Sequence, residues 1–197
     1  SELVGRCRAF IREESSHSRW HGKFNASLLD YLQAFPPGLA MVQSLLNAAK
    51  KHLSLANRLL LVAAMEHFNV VLSKGYLRRE SGWDFSSASA RNLFARHARE
   101  ELDHRAVVFD LWSGNPSTGR VGRALTMLAF LIAGFAYISA AVPWITYRKT
   151  GGRLGTTVIA LARGLLRNCL DLGSYSKLGE VFSFARGDYH PDRLIEK

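Results

Sequence analysis

Two copies of the pattern Glu-Glu-x-x-His constrain this chain more than any other feature: Glu13-Glu14-Ser15-Ser16-His17 and Glu100-Glu101-Leu102-Asp103-His104. At ~100° per residue, His97, Glu101 and His104 fall within roughly 60° of one another on a helix, and Val108 and Leu111 continue the same stripe. Ligand-type side chains therefore share a face with core residues. Burying ionisable groups on an apolar stripe is costly unless something compensates them, and a divalent metal is the strongest compensation available. A chain written this way is expected to pack helices so that these faces meet.

The 197 residues and 48% hydrophobic content suit one folded domain with a sizeable core. A single helical domain over 1–197 is expected, with metal-binding helices in 1–113, hydrophobic helices in 120–172 and a tail in 173–197. Cys7 and Cys169 lie far apart without metal or redox spacing, which argues against a disulfide scaffold. The net charge of +10 favours an anionic partner such as a phospholipid surface or an acidic substrate. Basic residues form only short pairs, Lys50-Lys51, Arg78-Arg79 and Arg148-Lys149. With no aromatic-interleaved basic tract, no nucleic-acid partner is expected. The chain starts at Ser1 and enters helical periodicity almost at once, without a signal-peptide pattern, and its start reads as a truncation.

Apolar positions Cys7, Phe10, Phe24, Leu28 and Leu32 sit on one stripe of a first helix running from Glu2 to about Ala34. Glu14, His17 and His21 interrupt that stripe on the same face, and Pro36-Pro37-Gly38 ends the helix. A second helical region spans about Leu39 to Ser73, broken near Ser54, which can cap the stretch beginning at Leu55. Glu66 lands there among Leu59, Val62 and Val70. Gly75 to Asp84 reads as a loop, and Ser86 or Ser87 can cap a helix reaching about Trp112. After the turn Ser113–Gly119, residues 124–147 contain no charged side chain, with Arg120 and Arg123 before them and Arg148, Lys149 and Arg153 after. That stretch is long enough to cross a bilayer, for which ~20 apolar residues suffice. The alternative is a helix buried on most sides within the protein or in a homodimer, and Gly134 and Pro143 suit either. A last helix runs from Leu154 to about Leu172 with Arg163 and Arg167. The tail ends in Tyr189-His190-Pro191-Asp192, a docking or turn element.

Ferritin-like bundles hold two metals with one Glu from each of two helices and a Glu-x-x-His from each of two others. This chain supplies Glu14 with His17, Glu66, and Glu101 with His104. A further lone Glu is not evident, since Glu2 shares the helix of Glu14. Glu13, Glu100 and His67 are one step off the inward face and read as helix-surface residues or partners of ligands. His21 and His97 lie on the ligand face, as further ligands or as hydrogen-bonded core histidines.

The blocks Phe10–Asn25, Ala64–Phe68 and His97–Asp110 resemble the signature blocks of a bacterial family labelled predicted metal-dependent hydrolases, and Tyr189-His190-Pro191 resembles its C-terminal motif. The resemblance spans nearly the whole chain. It implies a ferritin-like di-metal site with Glu14, His17, Glu66, Glu101 and His104 as ligands, joined or supported by His21 and His97. It also implies a further N-terminal segment, with a Gly-Glu and aromatics, ahead of the sequence given.

The fold expected is all-α, a ferritin-like helical bundle with a long hydrophobic helix toward the C-terminus. Carboxylate and imidazole donors without thiolate suit two iron ions, with manganese or zinc as alternatives. Paired Glu-x-x-His on bundle helices is the arrangement of di-iron carboxylate proteins, so oxygen-dependent oxidation of a hydrophobic, lipid-like small molecule is the leading expectation. Hydrolysis by a metal-activated water is the alternative, and a non-catalytic metal-binding or membrane-associated protein is another. The expected location is the cytoplasm, at or in the inner membrane.

Overall fold

The first helix meets a sharp stop: Gln33 turns left-handed at φ 54°, and Pro36-Pro37 come soon after. In the computed structural model, residues 2–78, 87–171 and 175–194 are described, with side chains left aside over 165–171 and 175–177. The expected loop beyond residue 78, Ser86, Gly173 and the side chains of Arg167 and Cys169 lie outside the described residues.

All the elements described are helical. Helix α1 covers Glu2–Leu32. The carbonyl of Leu32 at its end accepts from Arg148 Nη2 at 2.6 Å and Nε at 3.2 Å, a cation placed where the helix leaves its carbonyls unpaired. Helix α2 covers Leu39–His52 and comes after Gly38, whose φ of 85° favours glycine. The Ser54 hydroxyl accepts from the Asn57 N–H at 3.2 Å and opens α3, Leu55–Leu77. Gly75, expected in a loop, lies instead in the last turn of this helix and is buried.

Ser87 caps α4, Ala88–His104, by accepting from the Ala90 N–H at 3.4 Å. The helix expected to reach Trp112 breaks after His104 and resumes as α5, Val107–Ser113. Arg105 explains the break. Its guanidinium donates to the Leu102 carbonyl in the last turn of α4 and pairs with Asp192 of the tail at 2.8 Å, a side-chain intrusion of the kind that kinks helices. The break resets the helical phase, so Val108 is buried while Leu111, expected on the same stripe, is exposed.

Helix α3 is the hub, packing against α4, α5, α6 and α8. Leu60, Ala64 and Val71 from α3 meet Val108, Phe109 and Trp112 from α5, Met127 from α6, and Val181 and Phe184 near the C-terminus. Helices α6, α7 and α8 cover Arg120–Lys149, Leu154–Asp171 and Tyr175–Ser183, and a 3-10 turn closes the series at Pro191–Leu194.

Helix α6 corrects one alternative. It is not buried on most sides within the chain: Arg123, Met127 and Ala141 are its buried residues. Val121, Leu125, Leu128, Ile132, Phe135, Ile138 and Val142 form an exposed apolar stripe, with Phe135 75% exposed. By length and composition α3 and α6 could each cross a membrane, but α3 spends its apolar residues on the core.

The tail docks on α3. His67 donates from Nε2 to the Val181 carbonyl at 2.9 Å and lies 3.0 Å from the Glu180 carbonyl, while its Nδ1 accepts from the Tyr189 hydroxyl at 2.8 Å. Lys74 adds bonds to the Glu180 carboxylate at 2.9 Å and the Leu194 carbonyl at 2.7 Å. His190 Nε2 donates to Asp110 at 2.9 Å.

Phe184 is fully buried in this core, so Phe184→Ala should lower unfolding free energy by about 3–5 kcal/mol in urea titrations. Burial lowers the His67 pKa from 6.5 to about 4, despite the carbonyls that favour its charged form. The unfolded chain therefore takes up a proton that the folded one refuses, and the His67 contribution is present above pH 6.5 and lost as pH falls through about 4. The acid-side slope of stability against pH should drop by about one proton in His67→Gln, measured by urea unfolding between pH 7.5 and 4.

Candidate metal centre

Three helices carry the site: α1 brings Glu14, His17 and His21, α3 brings Glu66, and α4 brings His97, Glu101 and His104. Each arrives through the spacing of three or four that keeps side chains on one helix face. Glu14, His17, Glu101 and His104 each offer a ligand atom, and these atoms all lie within 4.8 Å of one another. Glu101 and His104 are 1% and 4% exposed, whereas Glu14 is partly open to solvent.

His104 lies between two carboxylates. Its Nε2 is 3.4 Å from Glu14 Oε1 and its Nδ1 is 3.4 Å from Glu66 Oε2. His17 Nδ1 is 3.0 Å from Glu14 Oε1, and His97 Nε2 is 3.2 Å from Glu101 Oε1. The His97 ring meets those of His17 and His21 edge-on at 4.5 and 4.9 Å between centroids. His21 thus sits one ring further out, against Phe94, and outside the four-residue group.

The electrostatics result from this crowding. Burial, with the nearby Glu66 and Glu14 carboxylates, pushes the Glu101 carboxyl up to about 9. Burial alone would lower His104, but Glu66, Glu14 and Glu13 raise it. His97 goes down to about 4 through burial and the neighbouring His17 and His21.

The donor set fits a cation. Both ring nitrogens of His104, Oε2 of Glu66 and Oε2 of Glu101 are buried without a hydrogen-bond partner, as are His97 Nδ1 and His21 Nε2. Orphaned acceptors of this kind are rare in folded proteins unless an ion or water meets them. Carboxylates and imidazoles with no thiolate are donors for iron, manganese or zinc.

Supporting residues surround the group. Glu100 accepts from Arg96 Nε at 2.8 Å and from His17 Nε2, and these bonds hold its carboxyl low against the effect of burial. Asn69, one turn beyond Glu66, lies beside Glu101 and favours its charged form. Asn69 is absent from the candidates that the sequence suggests, although its i+3 spacing from Glu66 was the available signal. His67, one step round α3, faces the tail and is buried there rather than on the helix surface.

A family model described as predicted metal-dependent hydrolase matches residues 1–194. No curated protein and no solved structure matches the chain. The family match overturns the expectation of oxygen-dependent di-iron oxidation and favours hydrolysis instead. Physically the two readings share one donor set, since carboxylates and imidazoles serve a water-activating cation as well as a redox ion, so the ligand pattern alone overreached. With residues 1–194 matched and a buried Glu/His group in place, this chain belongs to the family of predicted metal-dependent hydrolases.

Proposed function

We propose that this chain is a metal-dependent hydrolase whose two divalent ions are held by Glu14, His17, Glu66, Glu101 and His104, with His97 beside them. The observation that carries it is the convergence of four ligand atoms within 4.8 Å in a member of this family. When bound, such ions supply an acidified water as nucleophile and polarise the carbonyl or phosphoryl group under attack. The residues of the chain do the rest. Glu100 fixes the His17 ring through Nε2, and Asn69 favours the charged form of Glu101. Phe10 packs edge-on against the His104 ring at 4.9 Å, and Glu14 is the member of the group partly open to solvent.

The test strips the protein with a chelator, reloads it with zinc, manganese or iron, and assays chromogenic esters, amides and phosphoesters. Bound metal with turnover in at least one substrate class is expected. A reloaded protein that binds metal and hydrolyses none of them would sink the reading. Glu100→Gln should weaken metal affinity by about 10–100-fold in a chelator competition.

We also propose that the exposed face of α6 meets a membrane of anionic lipid. Its apolar stripe is unbroken by charge, Arg120 lies at one end and Arg148, Lys149 and Arg153 at the other, and no acidic residue occurs between Asp110 and Asp171. In vesicle flotation the protein should rise with phosphatidylglycerol vesicles more than with phosphatidylcholine, and Phe135→Glu should reduce that fraction. Equal flotation by the variant, or a dimer that the variant dissolves, would count against lipid as the occupant.

A further inference from the structure

Beside the Glu/His centre, α3 and α4 form a pocket that shares residues with it. The α3 face that holds Glu66 continues through Asn69 and Ser73 to Tyr76, and the α4 face that holds Glu101 runs back through Ala98 and His97 to Phe94, in both cases at helical spacing. These side chains line a pocket of about 120 Å³. His97 belongs to the pocket and to the centre at once, since its Nε2 lies 3.2 Å from Glu101 Oε1. Asn69 lies beside the same carboxyl.

The pocket has a polar end and an apolar body. Asn69 and His97 stand at the end next to Glu101, while most of the remaining wall is apolar. Ala98 and Ser73, 3% and 6% exposed, form its floor, and Leu72, 36% exposed, stands at its mouth. At the end away from the centre, the Tyr76 hydroxyl donates to the Arg91 carbonyl at 3.3 Å and ties α3 to α4. At ~30 Å³ for each water-sized group, the volume holds about four such groups, which corresponds to a chain of about four carbons.

We propose that this pocket seats the short apolar chain of an acyl substrate. The acyl carbonyl lies at the Asn69 and His97 end, toward the metal centre, and the carbons beyond it pack against Leu72, Phe94 and Ala98. The proposal rests on the hydrolase reading for the reaction itself: the oxygen of water bonds to the acyl carbon, the bond to the alcohol or amine breaks, and a proton of that water goes to the leaving group. The carboxylate product keeps the chain, so linear carboxylates report on the pocket without turnover.

The test is calorimetric titration of the metal-loaded protein with the linear carboxylates from acetate to octanoate. From acetate to pentanoate, affinity should rise about threefold to fourfold for each added carbon, the gain from burying a methylene, and from pentanoate to octanoate it should stay level. Ala98→Val, which adds two carbons to the floor, should bring the plateau forward to about propanoate, while the metal content by elemental analysis stays that of the wild type. No binding, affinity independent of chain length, affinity still climbing at octanoate, or a plateau that Ala98→Val leaves in place overturns the proposal. The wild-type series decides the matter even where the Ala98 variant fails to fold. Hydrolysis of esters without the plateau sinks the pocket and spares the hydrolase. The plateau in a protein that hydrolyses nothing supports the pocket and sinks the hydrolase.

Discussion

Mutual repulsion among crowded carboxylates is the constraint on which the rest of this structure depends. Glu14 and Glu66 flank the His104 ring, and burial, with their carboxylates, shifts the Glu101 carboxyl up to about 9. Three helices can be held at such a centre only if packing elsewhere outweighs the repulsion. The strongest packing lies beside it, where Leu60, Ala64 and Val71 of α3 meet Phe109, Trp112 and Phe184. A metal ion would reverse the sign of the local electrostatics and turn the same convergence into a stabilising contact.

Much of the architecture is set locally and is legible in the sequence. Pro36-Pro37, Ser54 and Ser87 act within a turn of themselves, so the boundaries they set depend on neighbouring residues alone. The ligand-type residues were legible through periodicity, because a helix face is a local property. Features that depend on distant partners were not. At the break after His104, Arg105 meets Asp192 from the tail, and no window around residue 105 contains that partner. Once the break occurs, the phase of the stripe changes and Leu111 turns outward.

The same limit applies to α6 and to the reaction. An uncharged apolar run states that a helix will avoid water, but it does not state what covers it, and here the chain itself covers little of it. The Glu-x-x-His repeats state that a cation can be held, but the donor types are shared by redox and hydrolytic centres. Family membership, rather than the donors, moved the reading to hydrolysis. Arg148 meanwhile joins these two regions, since it extends from α6 to the last carbonyl of the helix that carries Glu14 and His17.

Glu66 and His67 are adjacent in sequence and serve opposite sides of α3: one faces His104, the other is gripped by Tyr189 and the Val181 carbonyl. Together they act as a key with teeth on both edges. Turning α3 by a single residue, ~100°, would withdraw a carboxylate from the centre and strip a satisfied imidazole of its partners in one motion. The rotational setting of the hub helix is therefore pinned twice, and the C-terminal tail, far from the Glu/His group in sequence, becomes the latch that keeps the Glu66 carboxylate aimed inward.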